Sequence, residues 1–178
     1  MEFEMVKLEL QDTEWEKTYI THDRIIARGI VFDEDLNFYF VRVKRDDEFG
    51  MATYIETSGG GVESDENLYD AIQRELAEEL GVSVTVLGEI GFVSDYYNII
   101  NRHNLNHYFL CKVISFGNKH LTEDEINKWH LSTVKLSLDE AINTYKKNAT
   151  TKIARLVYNR EMPILLHAKE IIDKNYRG

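Results

Sequence analysis

This chain of 178 residues has a single cysteine and a single proline, and both scarcities narrow what it can be. One cysteine cannot form an internal disulfide, and Cys111 lies in the apolar run 108–111, so we expect a buried, unreactive thiol. With Pro163 as the only proline and no Ser- or Gly-rich tract, the sequence offers no flexible linker. We therefore expect one domain over residues 1–178, a length that buries most of the apolar surface.

Positive charge and long apolar runs are also scarce. The 21 Lys and Arg residues are outnumbered by 31 Asp and Glu residues, which gives a formal net charge of -10. Such a surface repels nucleic-acid backbones and anionic membranes, so neither is an expected partner. No apolar run approaches the length of a membrane span, and the acidic residues 1–4 lack the pattern of a secretory signal. These features favour a cytoplasmic protein.

Hydrophobic patterning predicts strands through much of the chain. Segments that alternate apolar and polar residues, or that are rich in Ile and Val, are residues 3–10, 24–32, 37–43, 82–87, 90–93 and 107–116. An acidic turn at 33–35 makes the second and third of them a hairpin, and the polar segment 95–106 is predicted as a loop. Strands mixed with a few helices, without regular βαβ alternation, indicate an α/β fold with a mixed sheet and helices on its faces.

Helical signals are strongest in the middle of the chain. Residues 66–80 carry apolar residues at helical spacing and stop at Gly81, which suits a left-handed C-terminal cap. Two S/T-x-x-E patterns, beginning at Thr122 and Ser137, predict helix starts through reciprocal capping. From residue 150 onward the spacing predicts one or two amphipathic helices, with Pro163 near the first turn of the later one.

Residues 60–82 contain the most specific pattern in the chain. They read GGVESDENLYDAIQRELAEELGV, or G-x5-E-x7-R-E-U-x-E-E-x-G-U, where U is aliphatic. On a helix, Glu75, Glu78 and Glu79 fall within roughly 100° of arc, so their carboxylates converge. Three like charges repel one another, and a hard divalent cation such as Mg²⁺ relieves that repulsion while sharing its ligand shell with substrate phosphates.

The neighbours of these acids support a metal site. Arg74 can hold Glu75 or Glu66 in position by a forked, charge-assisted hydrogen bond. The preceding glycines carry no Cβ and let the backbone approach a metal and phosphates, so Gly59 can offer its carbonyl and Gly60 can lie against the substrate. A solvated acidic surface helix is the alternative interpretation, but it explains neither the glycines nor the position of Arg74.

The pattern in residues 60–82 resembles the Nudix box at every defining position, and the order of strands and helices resembles the whole Nudix domain more loosely. The resemblance implies a Nudix-type α/β/α sandwich with a mixed central sheet and a loop-helix-loop catalytic motif. It also implies a hydrolase, dependent on Mg²⁺ or Mn²⁺, that cleaves a phosphoanhydride bond of a nucleoside diphosphate linked to another moiety.

The resemblance also implies roles for residues that match the motif. The implied metal ligands are Gly59, Glu75, Glu78 and Glu79, and the implied orienting pair is Arg74 and Glu66. Glu75 is in addition a candidate general base. Some members of the family draw a further acid from beyond the box, for which residues 123–125 are the nearest candidates. Charges that complement a helix dipole are the alternative interpretation of those three residues.

Candidate substrate contacts lie further along the chain. Tyr96 and Tyr97 offer stacking faces, and Arg102 offers a planar fork for phosphate, so all three are predicted to contact the substrate. An ordinary exposed loop would also be polar, and this alternative stays open. His103 and His107 are not expected to bind zinc, because they sit where a loop enters a strand.

Several questions stay open at this level. Arg28, Arg42 and Arg45 could reach phosphates, but solvated surface charges are the favoured interpretation. A Nudix domain that senses a nucleotide without turnover, and an acidic module that docks a basic partner, are the alternative functions. The oligomeric state is open, and a homodimer is suggested only by family analogy and by how common two-fold symmetry is. The sequence does not identify the substrate, because variable loops select the leaving group. The number of metal ions and the identity of the general base also stay open.

Overall fold

The computed structural model describes residues 2–177 and centres on one mixed sheet of eight strands. The strands are β1 Val6–Glu9, β2 His22–Phe32, β3 Asn37–Asp47, β4 Gly50–Glu56, β5 Ser58–Gly61, β6 Val82–Tyr97, β7 Arg102–Phe116 and β8 Ser132–Ser137. Six of them follow the order β1-β6-β7-β2-β3-β4, while β5 pairs with β2 and β8 pairs with β3. The pairs β1·β6 and β2·β7 are parallel and the others are antiparallel, which confirms the predicted mixed sheet.

Helices cover both faces of this sheet. They are α1 Leu68–Leu80, α2 Glu123–Asn127, α3 Leu138–Asn148 and α4 Lys152–Asn175, with a short 3₁₀ turn at Asn98–Ile100. Tyr69 of α1 packs on Phe109, whereas Glu161 of α4 accepts a hydrogen bond from Tyr108. Because consecutive residues of a strand point to opposite faces, α1 and α4 lie on opposite sides of the sheet. The expected α/β/α sandwich is therefore confirmed.

Helix α1 forms as its end signals predict. The Asn67 side chain accepts a hydrogen bond from the Asp70 N–H at one end, and Gly81 adopts a left-handed φ of 68° at the other. The apolar arc faces the sheet, and Leu76 is completely buried beneath it. The helix starts at Leu68 rather than at residue 66, because Asn67 is the cap, so Glu66 lies in the preceding turn.

Two predictions that rested on scarce residue types can be checked directly. Cys111 is free and buried, as expected, and burial raises the pKa of its thiol above the usual value. Within residues 2–177, no helix is both long enough and apolar enough to cross a membrane.

The loop predicted at residues 95–106 is wrong. Strand β6 continues to Tyr97 and β7 begins at Arg102, so only a short turn separates the two strands. Several of the polar side chains that suggested a loop are buried and hydrogen-bonded within the sheet; Asn106, for example, donates to Asp95 at 2.9 Å and to the Val93 carbonyl. Strands β4, β5 and β8 were also not predicted, because none of them shows a long apolar alternation.

Helix α4 is one continuous helix, which corrects the placement of Pro163 near a first turn. Pro163 lies inside the span Lys152–Asn175. A proline inside a helix removes one backbone hydrogen bond and costs about 3 kcal/mol. Apolar side chains on both sides of it, including Leu156 and Leu165, are buried against the sheet, and their packing offsets that cost.

Helix α4 also carries a fully buried arginine. Arg160 is 0% exposed, and its guanidinium donates to the hydroxyls of Tyr108 and Tyr97 and to the Asp95 carboxylate. The Glu56 carboxylate lies 3.5 Å from the same guanidinium. A buried charge is tolerated only when partners satisfy it, and here the partners come from three separate strands.

The next residue, Glu161, is equally buried and holds a strand end in place. Its carboxylate accepts hydrogen bonds from the Thr57 N–H at 2.8 Å, the Thr57 hydroxyl at 2.6 Å, and the hydroxyls of Tyr108 and Tyr145 at 2.7 Å each. Arg28 donates to the Thr57 carbonyl from the opposite side. Thr57, which immediately precedes β5, is therefore fixed at both its N–H and its carbonyl.

We expect Arg160→Met to destabilise the protein by about 3–5 kcal/mol, because it leaves buried carboxylates without their partner. Urea unfolding monitored by circular dichroism measures this change. Arg155→Met is the matched control, since Arg155 pairs with Glu14 at the surface of the same helix and its loss should change the unfolding midpoint far less. Equal midpoints for the two variants would contradict a structural role for the buried guanidinium.

Candidate active site

A cavity of about 630 Å³ opens where α1, β5 and the start of α2 meet the sheet. Acidic side chains from the box helix and from α2 line one part of it: Glu75, Glu78, Glu79 and Glu125. Basic side chains line another part: Arg24, Arg28, Arg45 and Arg102. Phe49, Trp129 and Leu131 give it an apolar wall. The cavity therefore combines an acidic part, a basic part and a surface that suits a ring.

Glu79 is the most buried acid of the box. Its carboxylate accepts hydrogen bonds from the Ser58 hydroxyl at 2.7 Å and from the Gly59 N–H at 2.9 Å. Burial and the neighbouring Glu125 carboxylate raise the pKa of Glu79 well above its usual range, although these two donors oppose the shift. Charge on this carboxylate is therefore costly unless a further positive group approaches it.

Glu75 lies directly against the glycine strand. A Cβ on Gly60 would come within 2.6 Å of the Glu75 carboxyl carbon, so only glycine leaves room for this carboxylate. Burial is the main cause that raises the pKa of Glu75, and the nearby charges of Glu78 and Glu125 add to it. Arg74 donates to Glu75 at 2.8 Å and works in the opposite direction.

Arg74 ties the box together. Its guanidinium forms a two-point contact with Glu66 at 2.7 and 2.8 Å, and it also donates to the Gly61 carbonyl at 3.1 Å. The hydrogen bonds from Arg74 lower the pKa of Glu66 to about 2. The proximity of Arg74 to both Glu66 and Glu75 is the arrangement that the sequence predicts.

Glu78 differs from its expected position. Its side chain is 39% exposed, and its carboxylate lies 3.3 Å from Arg74 rather than beside Glu79. Within residues 2–177, no three His, Cys, Asp or Glu side chains are gathered as closely as the ligands of one ion. The helical spacing predicted that the three box acids converge on one point. They share the cavity instead, without converging.

The donor set nevertheless fits a hard divalent cation. Glu79 and Glu125 are adjacent carboxylates in a partly enclosed cavity, and burial raises the pKa of Glu79. Mg²⁺ takes oxygen ligands, keeps several waters and needs only one or two protein carboxylates. Gly59 lines the cavity next to Glu79, and a Cβ there would collide with the Ala27 carbonyl oxygen, so only glycine fits at this position.

Of the three acids at residues 123–125, Glu125 alone lines the cavity. It is the N3 residue of α2, where it accepts a hydrogen bond from the Thr122 N–H at 2.8 Å while Thr122 accepts one from the Glu125 N–H. Glu123 and Asp124 are exposed in the first turn. Glu125 therefore combines the capping role with the cavity position, two interpretations that the sequence treated as alternatives.

The predicted substrate contacts, on β6 and at the start of β7, divide between the two faces of the sheet. Tyr97 and Arg102 line the cavity, with the Arg102 guanidinium 5.2 Å from the Tyr97 ring centre. The Tyr97 hydroxyl is bound to Arg160 and its ring packs against Phe49, so Tyr97 is buried. Tyr96 is not brought to the cavity; its ring stacks on His103 at 4.5 Å. Alternation along the strand explains the division.

Of the remaining residues considered from the sequence, some line the cavity and others lie outside it. His103 and His107 contact Asp23 and Glu89 respectively, and neither lines the cavity. Arg42 is exposed and outside it. Arg28 and Arg45, favoured as solvated surface charges, instead line the cavity, but both are engaged: Arg28 with the Thr57 carbonyl and Arg45 with Asp47 at 2.6 Å.

Sequence reasoning missed two parts of the cavity. Arg24 was not singled out, and nothing in its local sequence separates it from a surface charge. The ring surface of Phe49 and Trp129, joined by Arg45 4.3 Å above Phe49, was also missed. These residues are more than 70 positions apart, and only the strand pairing brings them together.

Comparison with known proteins identifies the family. A NUDIX domain model matches residues 22–157, which is more than half of the chain. The chain therefore belongs to the NUDIX domain family. No curated protein sequence matched it. Strand β1 and residues 158–175 of α4 lie outside the matched range.

Solved structures of related proteins share the fold. The chain is similar to a NUDIX hydrolase from Nitrosomonas europaea, with 18% identity and a TM-score of 0.60 over 83% of this chain and 90% of that one. A MutT NUDIX hydrolase from Burkholderia pseudomallei has 18% identity and a TM-score of 0.52, over 66% of this chain and 85% of that one. A MutT protein from Methanosarcina mazei Go1 has 18% identity and a TM-score of 0.54, over 72% of this chain and 85% of that one. Membership of this family supports hydrolysis of the pyrophosphatase type and the use of a divalent metal cation.

Gly60→Ala tests the close approach of the glycine strand to Glu75. We expect the free energy of unfolding to change by less than about 1 kcal/mol, because the flexible Glu75 carboxyl can move away from the added methyl group. The same movement should weaken the thermal stabilisation that Mg²⁺ provides. Gly117→Ala is the matched control, since a Cβ there meets no atom closer than 3.8 Å. A full Mg²⁺ response in both variants would argue against Glu75 at the metal.

Glu66→Gln tests the two-point contact with Arg74 through its pH dependence. A carboxyl with a folded-state pKa of about 2, below its usual value of 4.5, contributes stability that is present above pH ~4.5 and is lost as the pH falls towards 2. After allowance for solvent screening, the contribution is about 1–2 kcal/mol. Urea unfolding between pH 6 and 2.5 should show that the wild type has a higher free energy of unfolding than Glu66→Gln and that this difference disappears as the pH falls. A difference that does not change with pH would contradict this account.

Proposed function

We propose that this NUDIX protein is a Mg²⁺- or Mn²⁺-dependent hydrolase that cleaves the phosphoanhydride bond of a nucleoside diphosphate linked to another moiety. One observation carries the proposal: the buried Glu79 carboxylate, held by Ser58 and Gly59, lies beside Glu125 in a cavity large enough for a nucleotide. The proposal treats the chain as one domain and its substrate as a small molecule.

The roles follow from the positions of the side chains. Glu79, Glu75 and Glu125 would hold the cation, with Glu78 and the Gly59 carbonyl at its margin. When bound, the cation neutralises charge on the diphosphate and makes a nearby water easier to deprotonate. Glu75 or Glu125 is placed to accept the proton of that water. Both have carboxylate neighbours, and burial raises the pKa of Glu75 towards the range that suits a general base.

The other residues position the reacting groups. Arg74 and Glu66 hold Glu75 and the β5 backbone, so the carboxylate keeps its place while charge moves at phosphorus. Gly60 lets the diphosphate approach without a Cβ in the way. Trp129 and Leu131 supply apolar surfaces for a base or sugar within the same cavity.

Glu79→Gln tests the proposal. We expect kcat/KM to fall about 100-fold or more, because a neutral amide binds a divalent cation more weakly than a carboxylate does. Hydrolysis should be measured with Mg²⁺ and with Mn²⁺ on ADP-ribose, diadenosine polyphosphates, nucleotide sugars and oxidised dNTPs. Circular dichroism checks that the fold is retained.

Glu16→Gln is the matched control, since Glu16 is exposed and outside the cavity. Equal turnover by the wild type and Glu79→Gln would refute the proposed site. If the wild type hydrolyses none of these compounds but one of them stabilises it to heat, the protein is a ligand sensor rather than an enzyme.

A further inference from the structure

A second set of charged side chains lines the cavity on the other face of β5. A Cβ on Gly60 would meet the Glu75 carboxyl, and a Cβ on Gly61 would meet the Arg24 guanidinium at 3.0 Å. Consecutive strand residues direct their Cβ atoms to opposite faces, so Glu75 and Arg24 flank the same thin strand. Among the described residues, strand β5 pairs only with β2, and one cavity is lined both by the acids and by the arginines.

Two of the arginines that line the cavity have no carboxylate of residues 2–177 within ion-pair distance. In the part of the chain that the structure describes, Arg28, Arg45 and Arg160 each pair with a carboxylate, whereas Arg24 and Arg102 pair with none. Burial, together with the guanidinium groups of Arg24 and Arg28, lowers the pKa of Arg102 to about 10, which leaves it charged at pH 7. Unpaired cations held close together inside a cavity favour an anion between them.

Arg102 is fixed in a defined orientation. Its Nε donates to the Asn104 side-chain carbonyl at 2.6 Å, and its plane lies against the Tyr97 ring. The two terminal nitrogens make no hydrogen bond within residues 2–177 and are therefore free to donate in a fork. A guanidinium that is already oriented loses less entropy when it binds an oxyanion.

Asn104 carries a buried hydrogen-bond donor that has no acceptor among the described residues. It is 0% exposed, and its Nδ2 has no hydrogen-bond partner among the described residues. Asn104 lies directly beside Arg24 in the parallel β2·β7 pair, so its side chain projects from the same face. A buried donor without an acceptor costs about 1–3 kcal/mol, and a ligand oxygen would remove that cost.

We propose that Arg24 and Arg102, which line the cavity, form an oxyanion subsite in which Asn104 orients the Arg102 guanidinium, and that this subsite selects substrates with a further phosphate or carboxylate beyond the diphosphate that is cleaved. The substrate class is thus a nucleoside diphosphate derivative with an anionic distal moiety. The choice of substrate rests on the proposed function, while the anion site itself does not, because it uses none of the acids that would hold the cation.

The anion site is tested first without any divalent metal. Calorimetric titration of inorganic pyrophosphate in EDTA should show binding to the wild type, and Arg24→Met and Arg102→Met should each weaken it about tenfold or more. Arg42→Met removes the same charge from an exposed position outside the cavity and should leave the affinity unchanged. Thermal unfolding verifies that each variant is folded. Absence of wild-type binding, or equal weakening by all three substitutions, would overturn the subsite.

Substrate selection is tested with pairs that differ by one anionic group. With Mg²⁺, kcat/KM should be compared for UDP-glucose against UDP-glucuronate, which tests a carboxylate, and for NAD⁺ against NADP⁺, which tests a phosphate. The wild type should prefer the more anionic member of at least one pair, and both arginine variants should lose that preference. Glu79→Gln should slow both members equally.

The two proposals fail in different ways. If the wild type hydrolyses no compound but still binds pyrophosphate through the arginines, the proposed function fails and the anion site stands. If the wild type hydrolyses them with no preference that depends on Arg24 or Arg102, the selection role is wrong although the enzyme assignment holds.

Discussion

The thinness of strand β5 is the constraint on which the cavity depends. Its glycines carry no side chains, so Glu75 can lie on one face and Arg24 on the other, separated by little more than a peptide backbone. Opposite charges on the two sides of one strand can then act on different parts of a single ligand. A side chain at Gly60 or Gly61 would occupy the space that one of these groups now fills, which explains why the glycine run adjoins the acidic helix.

Such a thin strand needs support from elsewhere, and the buried charges of α4 provide it. Glu161 fixes the Thr57 N–H and hydroxyl, and Arg28 fixes the Thr57 carbonyl. The next two residues, Ser58 and Gly59, then hold Glu79. A continuous series of hydrogen bonds thus runs from the interior of α4 to the most buried acid of the cavity. Ser58 contributes directly, because its hydroxyl donates to the Glu79 carboxylate.

The sequence predicted the parts of the molecule that are encoded locally. The box helix, its Gly81 cap and the contact of Arg74 with Glu66 depend on spacing within one segment, and the structure shows them. Parts that depend on strand register were not predictable. Arg24 and Arg102 lie 78 positions apart, and only the parallel β2·β7 pairing makes them neighbours. The buried polar residues of β6 and β7 were taken for a loop because their partners lie on other elements.

Glu125 has an unusual consequence for how this protein can change. The same carboxylate completes the reciprocal cap of a five-residue helix and lies beside Glu79 in the cavity. Replacing it would loosen α2 and alter the charge of the cavity in a single step. Arg24, in contrast, takes part in no helix cap among the described residues, so its replacement would change the charge of the cavity and leave the start of α2 intact.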